Sequence, residues 1–444
     1  MAGWGRASWP PAPNAPTHAD RRGGDYERYQ PDRMLGRPLL LAPDVSELAW
    51  RVEAAVRGLG DLPGSRGLEG LARFLLRSEA IASSRIEGLQ VSPQQVGLAE
   101  LAEEEQLTVE RVNRTARRVA ANISALRQAS YEVAAREAVG VTDVVQLQEH
   151  LLADEPRLHG LRDEQNWVGG SDHHPLGAEF VPPPAEDVPE LMADLVGYLN
   201  TGDHAPLVQA ALVHAQFETV HPFRDGNGRV GRALIHTVLV RRGLTRRAVL
   251  PISPVLLTRS DEYVRGLTAY RYSGPPSGSA SQEGVSAWLR VFLQAVDVAV
   301  TQAREFAAAL DDLRAQWEES VAGWRRSQDL RQTPRAGSAT ARLLETLQEH
   351  PVLTAAGVMR LLDVSRPAAT AALDELAQAG VLSGRRLDGR TGAHLALDVF
   401  ELITSAERRL ASTRWDTRAS APLRATPYRP QRPEDDVGPR AAQG

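Results

Sequence analysis

Apolar residues recur at helical spacing through most of the chain, and this spacing constrains the fold more than any other feature. Between residues 46 and 137, for example, Leu71, Phe74 and Leu75 share one helix face. Further helices are predicted over 141–155, 188–199, 206–219, 229–242, 261–271 and 285–324. Within 160–184, paired glycines and a run of three prolines break the pattern and predict a short hairpin. The sequence therefore predicts a mainly α fold, a helical bundle with one small β-hairpin.

Two residue types are absent, and their absence excludes several kinds of chemistry. The 444 residues include no cysteine and no lysine, so all 51 basic residues are arginine. A disulfide, a thiolate zinc site and a cysteine nucleophile are therefore excluded, and so are a lysine-containing P-loop and a lysine Schiff base. The sequence also lacks an apolar leader and a run of about 20 apolar residues. We therefore expect a soluble, cytoplasmic protein that does not enter a membrane.

One loop near the middle of the chain brings together groups that bind phosphate. It runs from His221 to Arg232 and reads HPFRDGNGRVGR. Gly226 and Gly228 lie where the next helix begins, so the backbone can turn successive N–H groups towards an anion. The start of the helix adds positive partial charge. Asp225 offers the hard oxygen that Mg²⁺ prefers beside substrate phosphates.

Basic side chains of the same loop extend this chemistry. Arg229 and Arg232 are three residues apart on the first helical turn, so both can clamp the outer phosphates of a nucleotide. His221, just upstream, can act as a general base near neutral pH. The loop therefore predicts the transfer of a phosphate-linked group.

At every fixed position the loop resembles the signature of the Fic family, H-P-F-x-[D/E]-G-N-G-R-x-x-R. The resemblance implies a protein adenylyltransferase that moves AMP from ATP to a Ser, Thr or Tyr hydroxyl of a protein, which could be the chain itself. His221 would take the proton from that hydroxyl, and Asp225 would hold Mg²⁺ across the α- and β-phosphates. Doc-like phosphotransferases carry a lysine at the position of Gly228, so the glycine favours AMP transfer.

The same resemblance implies that the loop and the next helical turn bind ATP. Asn227 and the backbone beside it would hold the α-phosphate, whereas Arg229 would contact the β-phosphate and Arg232 the γ-phosphate. The implied ATP-binding set comprises Gly226, Asn227, Gly228, Arg229, Val230, Gly231 and Arg232.

An upstream helix carries a second pattern. Ser83 and Glu87 are four residues apart and share a helix face, and Gly88 ends the helix. These residues resemble the autoinhibitory pattern [S/T]-x-x-x-E-[G/N] of Fic proteins. The resemblance implies that Glu87 pairs with Arg232 and removes the γ-phosphate clamp. The enzyme is therefore expected to be inhibited until Glu87 is displaced.

The break in helical spacing also resembles a Fic element. Residues 160–162, 165–170 and 180–184 look like the Fic flap, a hairpin that lies beside the active site. The resemblance implies that this flap aligns the target segment by strand addition.

Composition divides the chain into six expected parts. They are a disordered leader, an N-terminal helical domain with the inhibitory motif, the Fic catalytic domain, a linker, a winged helix-like domain and a disordered Arg- and Pro-rich tail. Their bounds are 1–40, 41–137, 138–325, 326–338, 339–404 and 405–444.

The winged helix-turn-helix is expected from two helices on either side of Asp363-Val364 and from the arginine-bearing wing after them. Its charge argues against a strong DNA contact, because six arginines and eight acidic residues give 339–404 a net charge of −2. The tail, with eight basic and five acidic residues, has a net charge of +3 and could assist. DNA binding and a protein-docking or dimerising role stay open alternatives.

Two other functions also stay open. A related enzyme would remove AMP from a modified protein or transfer another phosphate-linked group. A different class is a DNA-binding transcriptional regulator in which the site only senses a nucleotide. The presence of both His221 and Asp225 favours catalysis, because a sensor does not need a base.

Overall fold

The fold is mainly helical, as the apolar spacing predicts. A computed structural model describes residues 1–61, 68–107, 112–245, 249–387 and 391–413. The helices are α1 (Pro43–Arg57), α2 (Leu68–Ile86), α3 (Pro93–Glu104), α4 (Arg114–Gln128), α5 (Val141–Leu151), α6 (Val188–Leu199), α7 (Pro206–Val220), α8 (Asn227–Arg241), α9 (Ile252–Thr258), α10 (Ser260–Tyr270), α11 (Ser279–Ser327), α12 (Ala339–Thr346), α13 (Ala355–Leu362), α14 (Arg366–Gln378) and α15 (Leu397–Thr413). The strands are β1 (Gly3–Trp9), β2 (Gly24–Gln30), β3 (Val352–Thr354), β4 (Ser383–Arg386) and β5 (Gly392–Leu395).

Helices α7 and α8 lie in the centre of the bundle and pack against each other. Every residue of α7 is buried, and α8 is buried from Asn227 to Leu239. A helix that is buried on all sides has no free face to move towards solvent. The short loop between these helices is therefore mounted on the most rigid part of the core.

Helix α11 packs against the helical bundle. Its Trp288 is fully buried and donates a hydrogen bond from Nε1 to the backbone carbonyl of Ala211, at 2.8 Å. One stretch of α11 is long and apolar enough to cross a membrane, but 61% of that stretch is buried against the rest of the protein. This helix therefore acts as a core helix in the bundle.

The described residues after α11 form a small unit of four helices, α12 to α15, and a three-stranded antiparallel sheet in the order β3-β5-β4. The turn between α13 and α14 contains Asp363 with a φ of +47°, as the Asp363-Val364 break predicts. This element order is the one expected for a winged helix. The expected start of a disordered tail at residue 405 is wrong, because α15 continues through Thr413, with Ile403 and Ala406 buried in the core. The rest of the expected tail, 414–444, lies outside the described residues.

The C-terminal unit packs directly on the helices that carry the inhibitory pattern. A Cβ placed on Gly97 of α3 would come within 2.6 Å of the Phe400 ring, so the glycine permits this contact. Arg85, in the last turn of α2, forms an ion pair with Glu407 of α15. Glu105, after α3, accepts a hydrogen bond from Thr354 at 2.8 Å. The C-terminal unit therefore contacts the end of the inhibitory helix.

The leader is ordered, so the expected disorder of residues 1–40 is wrong. Strands β1 and β2 form an antiparallel hairpin in which Gly3 pairs with Gln30 and Trp9 with Gly24. Tyr29 is buried and donates its hydroxyl to the carbonyl of Tyr272, at 2.7 Å. The proline and glycine content of the segment obscured the strands, in which Tyr29 is buried against Phe180 and Tyr272 while Trp4 stays exposed.

Candidate active site

The predicted phosphate loop spans the gap between α7 and α8. His221 ends α7 with a φ of +47°, and Gly226 precedes α8 with a φ of +89°. A left-handed histidine is uncommon, and such backbone strain concentrates at functional sites. The two left-handed residues turn the chain back sharply, so His221 and the first turn of α8 border the same space.

Asn227 shapes this loop with its side chain. Its Oδ1 accepts the N–H of Phe223 at 2.9 Å, and its Nδ2 donates to the carbonyl of Phe223 at 2.8 Å. Both residues are buried. Each end of the Asn227 amide thus bonds the backbone of Phe223 and closes the loop, and the expected contact of Asn227 with the α-phosphate stays a prediction.

The expected flap, residues 160–184, is anchored on the loop, although it contains no regular strand. Single bridges pair Leu161 with Phe223 and Val168 with Phe180. Arg162 is buried and donates from Nε to the carbonyl of His221, at 2.9 Å. Three consecutive prolines lack the N–H groups that a longer ladder needs, which explains the irregular form.

His221 has the protonation state that a base needs. Its side chain keeps 20% of its surface exposed beside the loop. Burial, with a smaller effect of the Arg271 guanidinium, lowers the pKa of the imidazole to about 4. The ring is therefore neutral at pH 7 and can accept a proton.

Two charged groups flank His221, and sequence reasoning assigned a role to neither. The Glu218 carboxylate lies 3.9 Å from the imidazole, measured from Oε2 to Nδ1. The Arg271 guanidinium lies 3.4 Å from the centre of the Phe180 ring, which belongs to the flap. Burial raises the pKa of Glu218 to about 7 and lowers that of Arg271 to about 10. His221 therefore has the Glu218 carboxyl group and the Arg271 guanidinium as its charged neighbours.

Asp225 lies at the open end of the loop, with 40% of its side chain exposed. Its Oδ2 accepts a hydrogen bond from Arg118 at 3.0 Å, and its Oδ1 accepts one from Arg229 at 3.2 Å. In the described residues no group of three or more histidine or acidic side chains could hold a metal. One carboxylate still suits Mg²⁺, provided that substrate phosphates supply most of the ligands.

Arg229 is buried and has hydrogen-bond donors without a partner. Its side chain is only 1% exposed, and its Nε and Nη1 have no hydrogen-bond partner. A buried guanidinium normally has its donors satisfied, because leaving one unpaired costs about 1–3 kcal/mol. The two unpaired donors beside the start of α8 are therefore the groups that an anion would satisfy.

Arg232 has the opposite surroundings, since its donors are taken by α2. It donates from Nε to the Ser83 hydroxyl, and from Nη2 to the carbonyl of Ser83 and to Oε1 of Glu87, each at 2.8 Å. Burial is the largest single effect on the pKa of Arg232 and acts to lower it, but Glu87, Tyr263 and Glu218 together outweigh it and the pKa is raised. Gly88 ends α2 with a φ of +79°, which positions Glu87 at the helix end.

The remaining small residues of the predicted ATP-binding set have separate local roles. A Cβ on Gly228 would lie 2.0 Å from Oε1 of Glu87, so only glycine admits the inhibitory carboxylate here. A Cβ on Gly231 would lie 2.7 Å from Oε1 of Glu218, so this glycine allows α7 and α8 to approach. Val230 points into the hydrophobic core. Val230 and Gly231 therefore contribute to the packing of α8 under the site.

The structure thus brings the predicted loop and inhibitory residues together and adds residues that the sequence did not reveal. Arg118 precedes its partner Asp225 by 107 positions, and no local pattern links the two. Arg271 lies beyond α10 and likewise carries no motif. For Arg162 a signal existed, since it stands in the segment 160–162 that resembles the Fic flap, but its role needed the geometry.

The comparisons with known proteins fit this geometry. Residues 139–239 match the Fic/DOC family, and residues 53–131 match the Fic/DOC family N-terminal region. A probable protein adenylyltransferase of Aquifex aeolicus is 33% identical over 178 residues, which cover 40% of this chain and 52% of that protein. Protein adenylyltransferase fic-1 of Caenorhabditis elegans is 31% identical over 130 residues, covering 28% of this chain and 23% of that protein.

A crystal structure of a Fic family protein from Desulfovibrio desulfuricans covers 81% of this chain and 97% of its own, with 23% identity and a TM-score of 0.48. The chain spans about half the length of the Aquifex relative and about a quarter of the nematode one. The two matched segments enclose both the loop and the end of α2. The segments that hold the site and the end of α2 therefore resemble the Fic/DOC family and its N-terminal region.

Proposed function

We propose that this protein transfers AMP from ATP to a Ser, Thr or Tyr hydroxyl of a protein. The observation that carries the proposal is the neutral His221 at the end of α7 and, across the same loop, the buried, incompletely paired guanidinium of Arg229 in the first turn of α8. A base next to an anion site is what in-line attack on a phosphate requires. The names of the relatives, protein adenylyltransferases, support the same reaction.

In the proposed reaction, His221 takes the proton of the target hydroxyl while its oxygen attacks the α-phosphorus. The bond from that phosphorus to the bridging oxygen breaks, and pyrophosphate leaves. Arg229 and the first N–H groups of α8 neutralise charge on the phosphates. Asp225 would hold Mg²⁺, which neutralises phosphate charge when bound. Without the metal, Asp225 accepts hydrogen bonds from Arg118 and Arg229.

Autoinhibition by Glu87 is part of the proposal. Because Nε and Nη2 of Arg232 donate to Ser83 and Glu87, this edge of the guanidinium is not available to a γ-phosphate. The carboxylate also lies against Gly228, where its negative charge repels phosphate. Displacement of Glu87 would free Arg232 and remove this charge together.

Incubation with ATP labelled at the α-phosphate tests the proposal, with Mg²⁺ present. We expect the Glu87→Gly variant to label itself or an added lysate protein, and the Glu87→Gly/His221→Ala double variant to stay unlabelled. ATP labelled at the γ-phosphate should leave no label on protein. Label from γ-labelled ATP would indicate phosphate transfer, and loss of AMP from pre-modified protein would indicate the reverse reaction.

For the C-terminal unit we propose a winged helix that docks on protein. Helix α14 has Arg366 as its single basic residue, which is few for phosphate contacts. The unit already packs on α2 and α3 through Phe400 and Glu407. Titration of duplex DNA at 50 mM salt should give no saturable binding. A Kd that weakens steeply with salt would support the DNA alternative instead.

A further inference from the structure

Glu218 lies one helical turn before His221, at the buried end of α7. We infer that Glu218 is a positioning residue, whose carboxylate accepts a hydrogen bond from Nδ1–H of His221 and leaves Nε2 free as the base. The inference rests on the proposed transfer reaction. Glu218 would then act together with the base His221 without contacting the target or the nucleotide.

The placement of Glu218 supports this role. Its side chain is 10% exposed, and its Oε1 has no hydrogen-bond partner. The carboxylate fills a slot between α7 and α8 that exists only because residue 231 is glycine. A buried, unpaired carboxylate oxygen is costly, and a residue that only packs would be better as an apolar side chain.

The distance suits a contact that forms during the reaction. Oε2 of Glu218 is 3.9 Å from Nδ1 of His221, which is too far for a hydrogen bond. A rotation that moves the ring by about 1 Å would close the gap. Such bonds are often long before substrate binds and shorten as charge develops on the imidazole.

The surrounding charges connect Glu218 to the inhibitory residue. Burial raises the pKa of Glu218, Arg232 and Arg271 act to lower it, and Glu87 acts to raise it. Displacing Glu87 therefore favours the ionised carboxylate at the same time as it frees Arg232. The charged or titratable groups that act on Glu218 or His221 from the packed elements are Glu87, Arg162, Arg232, Tyr263 and Arg271, and His214 lies with Glu218 beside Gly231.

The backbone of Glu218 also hydrogen-bonds the imidazole and acts to raise its pKa, and in our inference the ionisation of the Glu218 side chain adds to this by favouring one nitrogen of His221 for the proton. An ionised carboxylate keeps the proton on Nδ1, so Nε2 accepts the target proton as the new O–P bond forms and the bond to pyrophosphate breaks. The resulting imidazolium is stabilised by the carboxylate. A protonated Glu218 instead donates to Nδ1, and the proton on Nε2 blocks the base.

The pH dependence of kcat tests the inference in the Glu87→Gly background, with saturating ATP and a fixed target. Because the pKa of His221 is about 4, a base acting alone gives a rate that rises mainly below pH 5. If the base requires an ionised Glu218, kcat should instead rise at higher pH, towards the pKa of Glu218. We expect Glu218→Gln to lower kcat about 10- to 100-fold with little change in KM for ATP, and to remove this rise. Glu218→Asp should recover part of the rate.

Exposed Glu190 of α6 supplies a matched control, and Glu190→Gln should leave the profile unchanged. An unchanged kcat and pH profile in Glu218→Gln would overturn the inference, while labelling by Glu87→Gly would still support AMP transfer. If Glu218→Gln does not fold, the ¹⁵N NMR signals of His221 in the Glu87→Gly protein decide. Protonation at Nδ1 above the rise supports the inference, and protonation at Nε2 overturns it. Absence of labelling at every pH would sink the proposed function instead.

Discussion

The loop after α7 and the end of α2 border the same arginine-containing site, yet they are held in different ways. The loop is closed by buried hydrogen bonds between Asn227 and Phe223, four residues apart, and by Arg162 from the flap. The end of α2 reaches the site through Glu87, whose side chain is 36% exposed and whose partner Arg232 lies 145 positions away.

This difference separates the loop, to which we assign the chemistry, from the end of α2, which we propose controls it. Breaking the buried bonds of the loop would leave polar groups unpaired inside the core, at a cost of about 1–3 kcal/mol each. The Glu87 carboxylate is partly hydrated, so a phosphate can replace it on Arg232 at a much smaller cost. We therefore expect the hydrogen bonds of the loop to stay formed and the contact between Glu87 and Arg232 to be replaced when a phosphate binds.

The largest effect should come from the base on the loop side. In the Glu87→Gly background, we expect His221→Ala to reduce labelling by at least about 100-fold, which is the usual contribution of a general base. Its side chain is partly exposed, so Tm should change little. The matched control is His173→Ala on the exposed flap tip, which should keep full activity. Comparable labelling in both variants would contradict the assignment.

Arg162 tests whether the loop is as rigid as its bonds suggest. Its guanidinium donates to the carbonyls of Val220, His221, Pro183 and Glu164. We expect Arg162→Ala to lower the free energy of unfolding by about 3 kcal/mol and to abolish most labelling. Arg157→Ala, at a position that is 83% exposed, should change neither. An unchanged unfolding curve for Arg162→Ala would mean that the flap does not support the loop.

On the α2 side, nucleotide affinity reports the inhibitory contact. Glu87→Gly should free Arg232 for a γ-phosphate, and a charge-assisted hydrogen bond is worth about 1.5–3 kcal/mol. Calorimetry should therefore show ATP binding to the variant at least about tenfold more tightly than ADP, with a smaller difference in the parent protein. Glu103→Gln, on α3, serves as the control. Equal ATP preference in parent and variant would break the proposed link between Glu87 and the clamp.

The same comparison explains what could be predicted from the sequence. The loop was recognisable because its chemistry lies within twelve consecutive residues, and the helices because apolar spacing is local. Glu87 was found through a short pattern, although its partner is distant. The β1–β2 hairpin was missed because proline and glycine obscured its alternation, and Arg118 and Arg271 because only packing of distant segments places them at the site.

The smallest effect should come from the contact behind the inhibitory helix. Arg85 stands two residues before Glu87 and forms an ion pair with Glu407 of α15, with both side chains mostly buried. Glu407→Ala removes this hold, so the end of α2 should open more often and labelling should rise about two- to fivefold, equivalent to roughly 0.4–1 kcal/mol. Exposed Glu401 of the same helix is the control, and Glu401→Ala should have no effect.

Hydrogen exchange at the end of α2 distinguishes this effect from a change at the site itself. If Glu407→Ala speeds exchange at residues 83–88 and raises labelling, then the exchangeable contact is supported from the C-terminal unit. Faster exchange without more labelling would mean that Ser83 and Arg232 hold Glu87 alone. The C-terminal unit would then stabilise α2 without controlling the site. The contact between α2 and α8 would by itself decide whether Glu87 stays on Arg232 or is displaced, while the loop stays fixed.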